Sequence, residues 1–233
     1  MNSITPEMHA ALDQAFDAFA ADEDQLIAVI TGMGDKAFCA GSDLKSGLGV
    51  DYPEGGYAGI GKRFDLNKPV IAMVNGIALG GGFELALACD LIIASSTASF
   101  GLPEPLVGAV ALGGGLHRLP RQIGLKPAME IILTSRRVSA KRGKKLGFVN
   151  AVAAPEHLKT LTKAYCDMIL KGAPGAIEAS KAVVNRSLGE PDLETAMSNQ
   201  DDYPEYVNWK NSEDAMEGIN AFIEKRPPVW KGR

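Results

Sequence analysis

Two glycine turns and two acids carry the chemistry this sequence can offer. Asn75–Asp90 reads NGIALGGGFELALACD, with Gly80, Gly81 and Gly82 in a row and one acid, Glu84, in the apolar segment behind them. Glycine admits torsions that a Cβ forbids and lets backbone approach a ligand closely. Where such a turn opens a helix, the first N–H groups lack internal acceptors and favour anions or developing negative charge. Glu84 stands one turn inside that apolar run, where a carboxylate is either used or paired. The plainer alternative is an acid that complements the helix dipole. A second turn, Ala40-Gly41-Ser42-Asp43, offers further N–H donors, although alone it reads as an ordinary turn. A second acid, Glu104, lies between Pro103 and Pro105, where a solvated loop carboxylate is the simpler reading.

Other chemistries find no support. His9, His117 and His157 have no partner at metal-ligand spacing. No G-x-S-x-G elbow and no G-x-x-x-x-G-K-[ST] loop occurs. Gly32-x-Gly34 follows a strand as a dinucleotide site would, but Ala37 stands where the third glycine belongs. Lys141, Arg142, Lys144 and Lys145 form a basic run that reads as a solvated helix face, with a phosphate or RNA contact as the alternative.

The elements that must position these groups alternate. A helix follows Ser3 or Thr5 and runs to Ala20, with Met8, Leu12, Ala15, Phe16 and Phe19 at helical spacing. Leu26–Thr31, Val70–Val74, Leu91–Ala94, Ala98–Phe100 and Val149–Val152 read as short buried strands. Phe38–Lys45 reads as a loop that enters a short helix. The glycine-rich stretch Gly47–Gly61 reads as a mobile loop passing into a helix that ends near Asn67. Strand, glycine turn, helix and strand repeat, which favours an α/β fold with mostly parallel strands and right-handed crossovers. Beyond Gly115, helical patterns cover Leu116–Ile123, Ala128–Leu133, Ala140–Leu146, Pro155–Lys171, Ala173–Leu188, Leu193–Trp209 and Glu213–Glu224. The expected division is a core over residues 1–154 and a C-terminal helical region over residues 155–233, with frayed ends at Met1–His9 and Lys225–Arg233.

Bulk properties narrow the class. The 233 residues carry a net charge of −4, which argues against nucleic acid or an anionic membrane as the main partner. Cys39, Cys89 and Cys166 lack C-x-x-C spacing and are odd in number, fitting a reducing cytoplasm rather than a disulfide framework. No run of about 20 apolar residues is present to span a bilayer. The opening MNSITPEMH has neither the basic nor the apolar region of a secretory signal.

The segments AFCAGSDLK (Ala37–Lys45) and KPVIAMVNGIALGGGFELALACDLIIAS (Lys68–Ser95) resemble the enoyl-CoA hydratase/isomerase, or crotonase, superfamily. The likeness continues through Phe100–Gly124, Ser135–Ala153 and Ser212–Arg233, nearly the whole chain, and GGGFELALACD and EKRPPVWKGR look closest to the carnitinyl-CoA dehydratase-like branch. The resemblance implies a crotonase-like ββα-spiral core, C-terminal helices that trimerise, a homotrimer or homohexamer, an acyl-CoA thioester substrate, and no metal or redox cofactor. It implies reversible hydration of a 2-enoyl-CoA, with crotonobetainyl-CoA as a candidate. The alternatives are double-bond isomerisation, C–C hydrolysis, or a non-catalytic RNA- or partner-binding protein. It places the oxyanion hole on the N–H groups of Ser42 and Gly81, the α-carbon proton on Glu104 and the water on Glu84. CoA contacts fall on Ala40, Ser42, Asp43, Leu44, Gly80, Gly81, Phe222 and Lys225.

Two departures stand out. Leu112 occupies a position where some isomerase-type relatives carry an acid, and Pro105 follows Glu104 directly. The resemblance also implies two strands before the first helix, whereas this chain opens where that helix is about to start. The expectation is a sheet lacking its N-terminal hairpin, through either an upstream reading frame or an exposed edge.

Overall fold

The computed structural model describes residues 1–43, 45 and 51–232. Helix α1 (Pro6–Ala21) opens with Thr5, whose Oγ1 accepts from the Met8 N–H at 3.3 Å, and it buries His9, Phe16 and Phe19. Among the described residues eight short strands follow in chain order: β1 (Ala28–Thr31), β2 (Ala37–Cys39), β3 (Val70–Val74), β4 (Ile77–Leu79), β5 (Leu91–Ser95), β6 (Ser99–Gly101), β7 (Val138–Ser139) and β8 (Ala151–Ala153). They form two four-stranded sheets, β1-β3-β5-β8 and β2-β4-β6-β7. All pairings are parallel except β6 with β7. Each pass of the chain lays one strand in each sheet, the spiral the resemblance implies.

β3 and β5 read as unbroken apolar runs because the interior strands of a parallel sheet are covered on both faces. Ile71, Val74 and Ile93 are fully buried. Helix α2 (Gly81–Ala88) follows β4 directly and is apolar all round but for Glu84. Its Phe83 packs against Phe100 and Phe148, with ring centroids 5.3 and 5.0 Å away. The start of α2 sits tightly on β2: a Cβ on Gly82 would stand 2.0 Å from the Cys39 carbonyl oxygen. Gly82→Ala therefore forces backbone apart and is expected to cost about 3 kcal/mol of stability, measurable by urea unfolding.

Three strands escape the sequence pattern. β2, β4 and β7 are only three, three and two residues long, too short to show a period of two. The loop expected over Phe38–Lys45 thus contains the end of β2 and an isolated parallel bridge from Ser42 to Ile4. Among the described residues the helix expected before Asn67 is absent, and residues 51–67 hold a 3₁₀ turn at Tyr57–Gly59 instead. Nor is the described part of the glycine-rich stretch loose. Tyr57, Ala58 and Ile60 are buried, and Arg63 ties the segment to α1 through Asp13 and Asp17, both at 2.7 Å. Residues 46–50 of that stretch lie outside the described residues.

After Gly115 the chain is helical: α3 (Gly115–Ile123), α4 (Leu125–Thr134), α5 (Ala140–Leu146), α6 (Leu158–Ile169), α7 (Pro174–Ser187), α8 (Leu193–Asn199), α9 (Pro204–Lys210) and α10 (Glu213–Glu224). The single helix expected over Leu193–Trp209 is two, since a 3₁₀ turn intervenes and Pro204 opens α9. A proline at the first helical position is where its missing N–H costs nothing.

The chain divides into two compact units. One comprises residues 1–21, 28–63 and 70–164; the other comprises 22–27, 64–69 and 165–233, so the boundary runs through α6. Among the described residues both ends expected to fray make defined contacts. In the first unit the Ile4 N–H donates to the Gly41 carbonyl, the Asp43 N–H donates to the Ile4 carbonyl (both 2.9 Å), and His9 is buried. In the second, Arg226 pairs with Glu217 at 2.6 Å, the Trp230 indole N–H donates to the Lys171 carbonyl at 2.9 Å, and Asp214 accepts from the N–H groups of Lys231 and Gly232.

Candidate active site

The first unit brings both glycine turns and both acids to one place. Gly80, at the C-terminal end of β4, has φ 54°, and Gly81 begins α2. Gly41, at the end of β2, has φ 95°, and a Cβ there would lie 3.2 Å from the Gly81 nitrogen. The parallel pairing of β2 with β4 sets the two turns side by side. The N–H groups of Ser42 and Gly81 have no acceptor among the described residues. Unpaired backbone donors at a protein surface invite an oxygen ligand.

Glu84 lies one turn beyond Gly81 and is only 3% exposed. Its Oε1 accepts from the Gly115 N–H at 2.8 Å. Glycines give it room: a Cβ on Gly113 would meet Oε2 at 2.7 Å. Burial, opposed by the Gly115 hydrogen bond and reinforced by the charge of Glu104, pushes the Glu84 carboxyl up to about 7. Glu104 reaches the same place from a 3₁₀ turn, Glu104–Val107, after β6. A Cβ on Gly80 would meet Glu104 Oε1 at 2.9 Å. Glu104 Oε2 is buried and lacks a hydrogen-bond partner among the described residues. Burial raises this carboxyl as well. Pro105 leaves the turn undisturbed, since it occupies the first 3₁₀ turn, where no N–H is required.

The raised Glu84 carboxyl has a consequence for stability. Its ordinary value is 4.5. Between 4.5 and about 7 the folded protein holds a proton that the unfolded chain has released, so stability falls as pH rises through that window. The penalty is absent below it and complete above it. Glu84→Gln removes the dependence. Relative to wild type, the variant is expected to gain roughly 3 kcal/mol between pH 4.5 and pH 7.5, read from urea midpoints at the two pH values.

Other expected residues are placed as follows. Ala40 and Asp43 flank the Ser42 turn and are half-buried, with the Ala40 N–H donating to the Met1 carbonyl at 3.1 Å. Leu44 lies outside the described residues. Phe222 and Lys225 belong to the second unit, near the end of α10, and are exposed. Lys141, Arg142, Lys144 and Lys145 lie exposed on α5. Leu112 is 71% exposed. Among the described residues no cluster of His, Cys, Asp and Glu could hold a metal ion, and no helix is long and apolar enough to cross a membrane.

Sequence reasoning missed Tyr57. Its hydroxyl is 3.1 Å from Ser42 Oγ, its ring is 4.8 Å from His9, and a Cβ on Gly81 would stand 1.8 Å from the phenol oxygen. The only signal was a lone aromatic between Gly55-Gly56 and Gly59. Arg118 was also passed over; its guanidinium donates to the Gly61 carbonyl at 2.9 Å and lends positive charge to Glu84.

The chain and its fold have relatives among known proteins. The enoyl-CoA hydratase/isomerase family profile matches residues 1–233, and the chain belongs to that family. It is 40% identical to the carnitinyl-CoA dehydratase of Proteus mirabilis (strain HI4320), over all of this chain and 91% of that protein. It is 41% identical to the carnitinyl-CoA dehydratase of Salmonella enteritidis PT4, with the same coverage. Among solved structures, an enoyl-CoA hydratase from Mycobacterium marinum superposes with a TM-score of 0.91 at 40% identity, over 99% of this chain and 90% of that one. An enoyl-CoA hydratase from Mycobacterium tuberculosis H37Rv gives 0.90 at 38% identity, with the same coverage.

Proposed function

We propose that the chain is a hydro-lyase that reversibly adds water across the C=C bond of a 2-enoyl-CoA thioester. The observation that carries this is the buried Glu84 carboxyl and Glu104, whose Oε2 is buried, beside two backbone donors without an acceptor among the described residues. Attack at the β-carbon moves electrons onto the thioester oxygen, where the N–H groups of Ser42 and Gly81 meet the charge. Donors fixed in advance need no reorganisation as that charge forms. Glu84, held near neutrality and oriented by Gly115, takes the proton of the water whose oxygen bonds to the β-carbon. Glu104, whose carboxyl burial raises above the usual carboxylate range, delivers a proton to the α-carbon. The reverse reaction exchanges these roles. Two carboxyls can divide acid and base work because each raises the cost of ionising the other.

The exposed apolar Leu112, where an isomerase-type acid would stand, favours hydration over double-bond migration. The names of the carnitinyl-CoA dehydratase relatives support crotonobetainyl-CoA as the acyl substrate. The glycine turn carrying Ala40, Ser42 and Asp43, with Gly80, is the proposed CoA track; Leu44, Phe222 and Lys225 are proposed as CoA contacts on the resemblance alone. The protein is expected to act in the cytoplasm as a homotrimer or homohexamer, without metal or redox cofactor. Exposed Leu188, Leu193, Ile219 and Ile223 on the second unit support self-association. The test is loss of enone absorbance with crotonyl-CoA and crotonobetainyl-CoA. Turnover of at least one is expected, faster for the betaine. Inertness toward a panel of 2-enoyl-CoAs of differing acyl chains would remove the proposal.

A further inference from the structure

Tyr57 has no part in the chemistry just described, yet it is built into the same place. It is 4% exposed despite lying in a glycine-rich segment. Its ring is held edge-on by His9 at 4.8 Å and by Tyr52 at 5.5 Å. His9 is itself fixed, because its Nδ1 accepts from the Ala58 N–H at 2.9 Å. The segment is anchored at its far end by Arg63 to Asp13 and Asp17. Gly113 clears space for the ring: a Cβ there would lie 2.9 Å from Tyr57 Cγ. Gly81 clears space for the hydroxyl, since a Cβ there would nearly coincide with it, at 1.8 Å.

The phenol oxygen therefore stands over the first residue of α2, beside an unpaired N–H, and pairs at 3.1 Å with the side chain of the other donor residue, Ser42. We propose that Tyr57 is a third donor of the oxyanion site: its O–H, oriented by Ser42 Oγ, completes the set formed by the Ser42 and Gly81 N–H groups. Ser42 then acts twice. Its N–H donates directly to the thioester oxygen, and its Oγ–H donates to Tyr57 Oη, which frees the phenol proton to point at the same oxygen. A phenol has one proton to give, so an acceptor bond from Ser42 is what commits that proton to the ligand. Such a chain also polarises each bond in it. Burial and the nearby Glu84 carboxylate hold Tyr57 well above the usual phenol range, so the donor stays protonated while Glu84 titrates.

This inference rests on the thioester-binding reading above, and one probe separates the two. A dimethylaminocinnamoyl-CoA thioester absorbs further to the red when its carbonyl oxygen is polarised, and it reports binding without requiring turnover. Wild-type protein is expected to shift the probe. Tyr57→Phe keeps the ring, the packing and the melting temperature but removes the donor. It is expected to lose much of the shift and to lower kcat by about 10–100-fold with KM within about threefold, as a hydrogen bond to a charged group implies. Ser42→Ala keeps the N–H and is expected to lose less, and nothing further in the Tyr57→Phe background, because both act through one proton. Tyr57→Phe with wild-type shift and kcat would overturn the third donor alone. Absence of any shift with wild-type protein would overturn the thioester reading, and this inference with it.

Discussion

Replacing Glu104 by glutamine is expected to lower kcat for enoyl-CoA hydration by about three orders of magnitude, within the usual contribution of a positioned acid or base. Glutamine keeps the side-chain volume against Gly80, so the fold has no reason to change. What disappears is the transferable proton. Glu104 Oε2 is buried without a partner among the described residues, an arrangement that stabilises nothing in the folded protein and leaves the oxygen available to a substrate. Two readouts distinguish the roles of the acids. In deuterium oxide, exchange of the α-hydrogen of a saturated or hydrated acyl-CoA should fail in Glu104→Gln. In Glu84→Gln that exchange should survive at a reduced rate while water addition is lost. Turnover unchanged in both variants would dismiss a two-carboxyl mechanism.

The second large effect concerns Gly81. Its backbone does not require glycine, for it opens α2 without a left-handed φ. The requirement is space, since the new methyl would lie 1.8 Å from Tyr57 Oη. The ring cannot retreat, because His9 and Tyr52 stand behind it and Gly113 allows no slack. Gly81→Ala must therefore displace either the phenol or the start of α2, and each carries a proposed donor. A loss of about 10²–10³ in kcat is expected, the range seen when one oxyanion donor is removed. Circular dichroism should stay near that of wild type. Gly82→Ala differs because its methyl meets the Cys39 carbonyl, so there stability suffers with activity. A Gly81→Ala protein with wild-type kcat would show that the donor lies elsewhere.

Much of this was legible beforehand for physical reasons. β3 and β5 announced themselves through apolar runs, α5 and α10 through helical patterns, and Glu84 through its apolar surroundings. Glu104 needed the resemblance, because a carboxylate between two prolines has no local signal; its meaning comes from β6 lying beside β4. Tyr57 was invisible for a related reason. Glycines around it read as slack, whereas in the structure they are the room that a fixed ring and a backbone approach require. The short strands β2, β4 and β7 were hidden by their length, and the ends by partners far along the chain: Ile4 meets Ser42, and Trp230 meets Lys171.

The interleaving of the two sheets has a kinetic side. Apart from β6 with β7, no strand pairs with the next strand in sequence among the described residues: Ala28 lies opposite Val70, Ile77 opposite Ser99, and Ile93 opposite Ala151. Each pairing closes a loop before it is rewarded, and folds dominated by such closures are slow to form. The Ser42 and Gly81 turns become neighbours only when β2 and β4 have paired, and Glu104 arrives only with β6. A chain released from denaturant should recover helical signal early, from α7 and α10, while the ability to redden a cinnamoyl thioester returns last.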